Sequence, residues 1–119
     1  MRKNILASGA LAFSMLATAA LAQNATVMAP GGAGGGYDAM ARQPFQAMRE
    51  AGIFKDGVQF TNRGGAGGTI GLAEFVNTSK GNDNAVMSMG AILIGGILVN
   101  KSPVSLDQTV PLVRLISDT

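Results

Sequence analysis

The pentapeptide GGAGG occurs twice in the chain, at Gly31–Gly35 within MAPGGAGGGYDAMAR (28–42) and at Gly64–Gly68 within TNRGGAGGTIGLAEF (61–75). Together the copies hold eight of the 17 glycines. Their surroundings decide the fold. Each copy follows a short apolar stretch and precedes a run with helical spacing. Each therefore reads as the loop of a β-α unit and not as a flexible linker.

Working outward, Ala25–Ala29 (ATVMA) reads as a strand that ends at Pro-Gly-Gly. Met40, Ala41, Phe45, Ala47 and Met48 then give one apolar helical face over Ala39–Glu50, with Pro44 predicting a kink or a late start. Gly52 is the stop signal, and Val58–Thr61 (VQFT) alternates as a strand does. After the second GGAGG, Ile70, Ala73, Phe75 and Val76 predict a helix over Thr69–Thr78, closed by the turn Lys80–Asp83. Ala85–Met89 reads as a third strand, Gly90–Asn100 as a buried helix, Pro103–Asp107 as a loop and Val110–Ile116 as a fourth strand. Met28, Met87 and Met89 are expected in the core. This alternation predicts an α/β fold, an open and mostly parallel sheet with flanking helices. Right-handed crossovers then bring every β-to-α loop to one edge of the sheet. Ligands of open α/β sheets bind there, beyond the carboxyl ends of the strands.

The first 22 residues stand apart. Arg2 and Lys3, the apolar run Ile5–Ala17 and the small residues Ala20 and Ala22 form a tripartite secretory signal with an A-x-A-like cleavage site. The run is too short to span a bilayer. The expected mature chain is 23–119, exported and not itself membrane-spanning. Nine Lys and Arg face seven Asp and Glu, and Arg2 and Lys3 make up the difference. The mature part is thus near neutral and shows no electrostatic footprint for nucleic acid. Cysteine and histidine are both absent. That composition removes disulfides, Ser-His-Asp and Cys-His nucleophiles and the commonest zinc ligands, so no enzyme, cofactor or metal is expected. An exported chain without disulfides fits a bacterial periplasm. The terminal PLVRLISDT (111–119) has nothing after it to cover its faces, which leads us to expect an incomplete chain.

Glycine lets a ligand approach the main chain closely, and each loop opens a helix whose first N–H groups lack internal partners. Two such ends side by side make an anion site from backbone donors and helix dipoles. A carboxylate or phosphate is the matching ligand, with no lysine in either loop and only Arg63 flanking one. Tight turns and close helix–sheet packing are the plainer use of the same glycines. Walker A is excluded, because no Gly-Lys pair occurs. Gly34–Ala39 fits the dinucleotide pattern G-x-G-x-x-A, but the acid that should end the second strand is missing, and Asp56 precedes that strand. Asp38 is expected as N-cap of the first helix, paired with Arg42 one turn on. Thr69 either caps the second helix or offers its hydroxyl to a ligand, and Tyr37 is either a pocket wall or a core residue. Ser88 and Gly90 are weaker candidates at the same edge. The tripeptides at Asn24 and Asn77 fit the glycosylation pattern and arise readily by chance.

MAPGGAGGGYDAMAR, TNRGGAGGTIGLAEFVN and AILIGGILVNKSPVSLDQTVPLVRLISDT, in this order and spacing, resemble the periplasmic substrate-binding proteins of tripartite tricarboxylate transporters, nearest the citrate-type branch. The resemblance covers essentially all of 23–119. It implies a two-lobed Venus-flytrap protein that closes on a small carboxylate and delivers it to a membrane permease of two further subunits. It further implies that main-chain groups and waters of the two loops hold the ligand carboxylate. Carried over, the ligand-binding positions are Gly34, Gly35, Gly36, Tyr37 and Asp38 in the first loop, and Gly65, Ala66, Gly67, Gly68 and Thr69 in the second. Gly64 stands where such proteins usually have proline, loosening the loop by roughly several tenths of a kcal/mol. They are also longer, so 23–119 corresponds to the N-terminal, incomplete part of one lobe. Gly67→Val is expected to weaken binding more than it disturbs the fold. The alternatives are a dinucleotide- or phosphate-binding enzyme domain, or a truncated fragment without function.

Overall fold

The computed structural model describes residues 24–55 and 57–117; the expected secretory signal (1–22) and Asp56 lie outside them. The elements run β1 (Ala25–Ala29), α1 (Gly36–Glu50), β2 (Val58–Asn62), a 3-10 turn (Ala66–Gly68), α2 (Thr69–Thr78), β3 (Ala85–Met87) and α3 (Ala91–Val99). A second 3-10 turn covers Leu106–Gln108. The three strands form one open parallel sheet in the order β2-β1-β3. The chain therefore steps to one side of β1 and then crosses to the other. Such a reversal of strand order is the switch point at which open α/β sheets bind ligands.

Alternation along β1 divides the core in two. Val27 faces Phe60 and Val86 across the ladders, and this face packs on α1 through Ala41, Tyr37 and Phe45. Phe45 also meets Phe60 and Phe54 edge to face, at 6.1 and 5.6 Å between centroids. Met28 is paired with Met87 and lies on the opposite face, where Leu72 of α2 and Leu93 of α3 are fully buried. Val104 and Leu106 close that second cluster, and the capping box of Ser105 and Gln108 secures the turn they approach. Met28 is buried, and Met87 and Met89 pack against this cluster, as expected.

Four readings of the sequence need correction. Helix α1 starts at Gly36, three residues early, and continues through Pro44. The third strand ends at Met87, although the Ser88 N–H still reaches the Met28 carbonyl at 2.9 Å. Helix α3 is only half buried: Leu93 and Gly96 are enclosed, whereas Ile92, Leu98 and Val99 are each at least 70% exposed. Residues 110–117 form no strand, and Val110, Leu112, Val113, Leu115 and Ile116 lie exposed. Their alternation suits a strand, but no ladder partner meets them among the described residues, and alternation alone does not supply one.

Candidate functional site

Because β1 and β2 are neighbours, both glycine loops leave the same edge of the sheet side by side. The ladder continues one residue past β2, with the Arg63 N–H bonded to the Ala29 carbonyl at 2.9 Å. Immediately beyond, a Cβ at Gly64 would lie 3.4 Å from the Gly31 carbonyl carbon. The loops thus touch main chain to main chain. This is the juxtaposition that the β-loop-α repeat predicts.

The first loop is organised by one carboxylate. Gly35, not Asp38, is the N-cap of α1, and no side chain caps the helix. Asp38 sits in the first turn and reaches back, accepting the Gly34 N–H at 2.9 Å through Oδ2. Its Oδ1 accepts from Arg42 Nε at 2.9 Å and from Asn62 Nδ2 at 3.0 Å. The pairing with Arg42 is the expected one; the N-cap role is not. The hydrogen bond from Arg42, then those from Gly34 and Asn62, hold the carboxyl down from an ordinary 3.8 to about 2. Asn62 also approaches the Gly31 carbonyl at 3.4 Å, tying the end of β2 to the first loop. Arg42 stacks over Phe60 at 4.6 Å from the ring centroid. Asp38 is 6% exposed, and its charge is fully engaged by these partners.

Tyr37 takes the structural of its two readings. Its ring packs against both core clusters. The hydroxyl accepts the Leu93 N–H at 2.8 Å, which caps the first turn of α3, and lies 3.4 Å from the Gly90 carbonyl. Ser88 Oγ donates to the Tyr37 carbonyl at 3.0 Å, so Ser88 and Gly90 serve as attachments of the third loop.

The second loop is wedged. Gly67 has φ 66°, and a Cβ there would stand 3.0 Å from the Gly96 Cα. At Gly68 a Cβ would meet Leu93 Cδ1 at 3.1 Å and the Pro30 carbonyl oxygen at 3.2 Å. A side chain at either position is therefore both strained and crowded, so Gly67→Val perturbs the fold as well and is no clean test of binding. The Thr69 hydroxyl is turned inward and donates to the Ala66 carbonyl at 3.0 Å; Gly68 is the N-cap of α2. Neither expected role of Thr69, cap or open hydroxyl, is the one it plays.

Main chain is what remains at the edge. Gly34, Gly35, Gly36, Gly65, Ala66 and Gly67 are all exposed. The N–H groups of Gly36 and Tyr37 have no acceptor within α1, as at any helix start. No side chain caps the turn at Gly65–Gly67 either. Both flanking arginines are engaged, Arg42 by Asp38 and Arg63 by Glu74 at 2.7 Å. The edge can therefore hold an anion through backbone dipoles without a free cation. Sequence reasoning missed Asn62 and Asn100, which hold the two loops from neighbouring elements. Their only signal was position, one at the end of a strand and one just after a helix.

The dinucleotide pattern gains nothing from the structure, since the residue ending β2 is Asn62 and its amide is spent on Asp38 and Gly31. Among the described residues no helix is long and apolar enough to cross a membrane. Comparison with protein-family models, with curated proteins and with solved structures returned no match.

Proposed function

We propose that this chain is the solute-binding component of a tripartite tricarboxylate-type transporter, exported to the periplasm, capturing a small carboxylate and handing it to membrane permease subunits. One observation carries the reading. Gly32 and Gly36 have ordinary φ values, and a Cβ at either would meet nothing within 4 Å. Neither turn geometry nor packing requires glycine there. Open space above bare backbone is what a ligand that approaches the main chain needs. The proposal therefore assigns the ligand carboxylate to the N–H groups around Gly36–Tyr37 and Ala66–Gly67, with helix dipoles adding to the attraction. Waters complete its coordination. Asp38 belongs to the loop's support: its bonds to Arg42, Gly34 and Asn62 offset the repulsion an acid would exert on the anion.

No chemistry is performed on this reading; binding and closure of two lobes are the mechanism. Residues 23–119 supply the N-terminal part of one lobe, and 1–22 are removed on export. The resemblance of the loop motifs and the site at the switch point support it together. The test is thermal unfolding against a panel of di- and tricarboxylates and NAD. A ligand at a hundred times its Kd adds about 2.7 kcal/mol to the folded state, a readily measured shift. Stabilisation by a carboxylate supports the proposal. Silence across the carboxylates with a clear response to NAD would falsify it.

A further inference from the structure

We propose that Asn100 is a positioning residue for the second glycine loop, aiming the Gly67 N–H at the ligand edge; this rests on the binding reading above. Asn100 follows α3 as its C-cap. An asparagine there ordinarily serves its own helix, and its Nδ2 does meet the Gly96 carbonyl at 2.9 Å. The same nitrogen also crosses to the other element and meets the Ala66 carbonyl at 2.9 Å. A side-chain amide has two N–H donors on one nitrogen and can satisfy both acceptors at once.

Ala66 is where such a hold is needed. It has φ 46°, in the left-handed region that an L-residue with a Cβ adopts reluctantly. Its carbonyl collects three donors: the Asn100 amide, the Thr69 hydroxyl at 3.0 Å and the Thr69 backbone N–H. The peptide joining Ala66 to Gly67 is planar and trans, as every described peptide is. Its N–H therefore points opposite to its C=O. Anchoring the Ala66 oxygen toward Asn100 turns the Gly67 N–H the other way. The interlock of Gly67 with Gly96, where a Cβ on Gly96 would come within 2.9 Å of the Gly67 oxygen, leaves the loop no room to rotate back. Strain, anchor and interlock together fix the direction of one donor.

The experiment compares the 119-residue chain with Asn100→Ala and Asn100→Asp, the latter nearly isosteric but unable to donate. Amide hydrogen exchange is read at Gly68 and Thr69, whose N–H groups close the loop's turn, and citrate binding is read by calorimetry. Both variants are expected to exchange about tenfold faster at Gly68 and Thr69, with α1 unchanged, as loss of one hydrogen bond implies. Citrate affinity should fall by about the same factor, because a loosened donor must be ordered on binding. A role confined to capping α3 predicts faster exchange at Asn100 and Lys101 only, and that result overturns the proposal. Faster loop exchange with unchanged citrate affinity also overturns the ligand-aiming role. If the unchanged chain does not bind citrate, the carboxylate reading suffers, while the exchange data still decide whether Asn100 holds the loop.

Discussion

The two copies of GGAGG are identical in sequence and opposite in their physical situation. In the first, only Gly34 has positive φ, at 79°. In the second, Gly65, Ala66, Gly67 and Gly68 form an unbroken run at 123°, 46°, 66° and 96°. Gly32 and Gly34 of the first loop border open space, and the loop is tethered by a carboxylate from its own helix. The second is pressed between Pro30, Ile70 and α3, and is tethered by an amide from elsewhere. Glycine thus borders open space at two positions of one copy and permits close packing in the other. A pentapeptide does not carry its own role; its neighbours assign it.

The sharpest way to break this contrast is to put the same methyl group into each loop. Gly68→Ala adds a Cβ at φ 96° against Leu93 and Pro30. It should lower stability by about 2–4 kcal/mol, from left-handed strain plus overpacking. Urea unfolding measures it as a lower midpoint at unchanged slope. If Gly68→Ala were as stable as the parent, the wedged description of the second loop would be wrong.

Next in size is the removal of the first loop's tether, Asp38→Asn. A carboxyl held down to about 2 stabilises the folded state above its ordinary 3.8, and that contribution fades as the pH falls toward about 2. The parent should therefore lose stability across this window. The variant should be weaker at neutral pH and lose less on acidification. Parallel pH profiles for the two would mean that the network of Arg42, Gly34 and Asn62 does not hold the carboxylate. The smallest effect is expected from Gly36→Ala, in the first turn of α1 with no atom near the added methyl. It should gain up to about 1 kcal/mol, since alanine is the better helix former. On the proposed function it should nonetheless weaken carboxylate binding. A variant that gained stability and kept its affinity would remove the case for ligand approach at this glycine.

The fold was legible wherever a local pattern settles local structure. Alternation and breakers located β1 and β2, and α2 spans the predicted Thr69–Thr78. Consecutive β-α units were enough to put both loops at one sheet edge. What the pattern could not supply was tertiary. Leu72 is the most deeply buried residue of α2, whereas Ile70, which the spacing put on the helix's apolar face, is exposed. The apolar composition of α3 hides which side is covered. The tail from Val110 to Ile116 alternates without a partner strand. At the site, the glycines and the Asp38–Arg42 pair were readable from spacing of four along a helix. The bonds of Asn62, and that of Asn100 to Ala66, were not, because each joins residues more than 20 positions apart.

Tyr37 joins the two core clusters and is also the single tyrosine of a chain without tryptophan. Its ultraviolet emission is therefore a built-in optical gauge of the junction between α1 and α3. No label is needed to follow it. Because the phenol hydroxyl bonds to the α3 backbone, slippage of that helix changes the chromophore's surroundings. Set beside circular dichroism of the helices, that emission separates local undocking of α3, where it changes alone, from global unfolding, where both change.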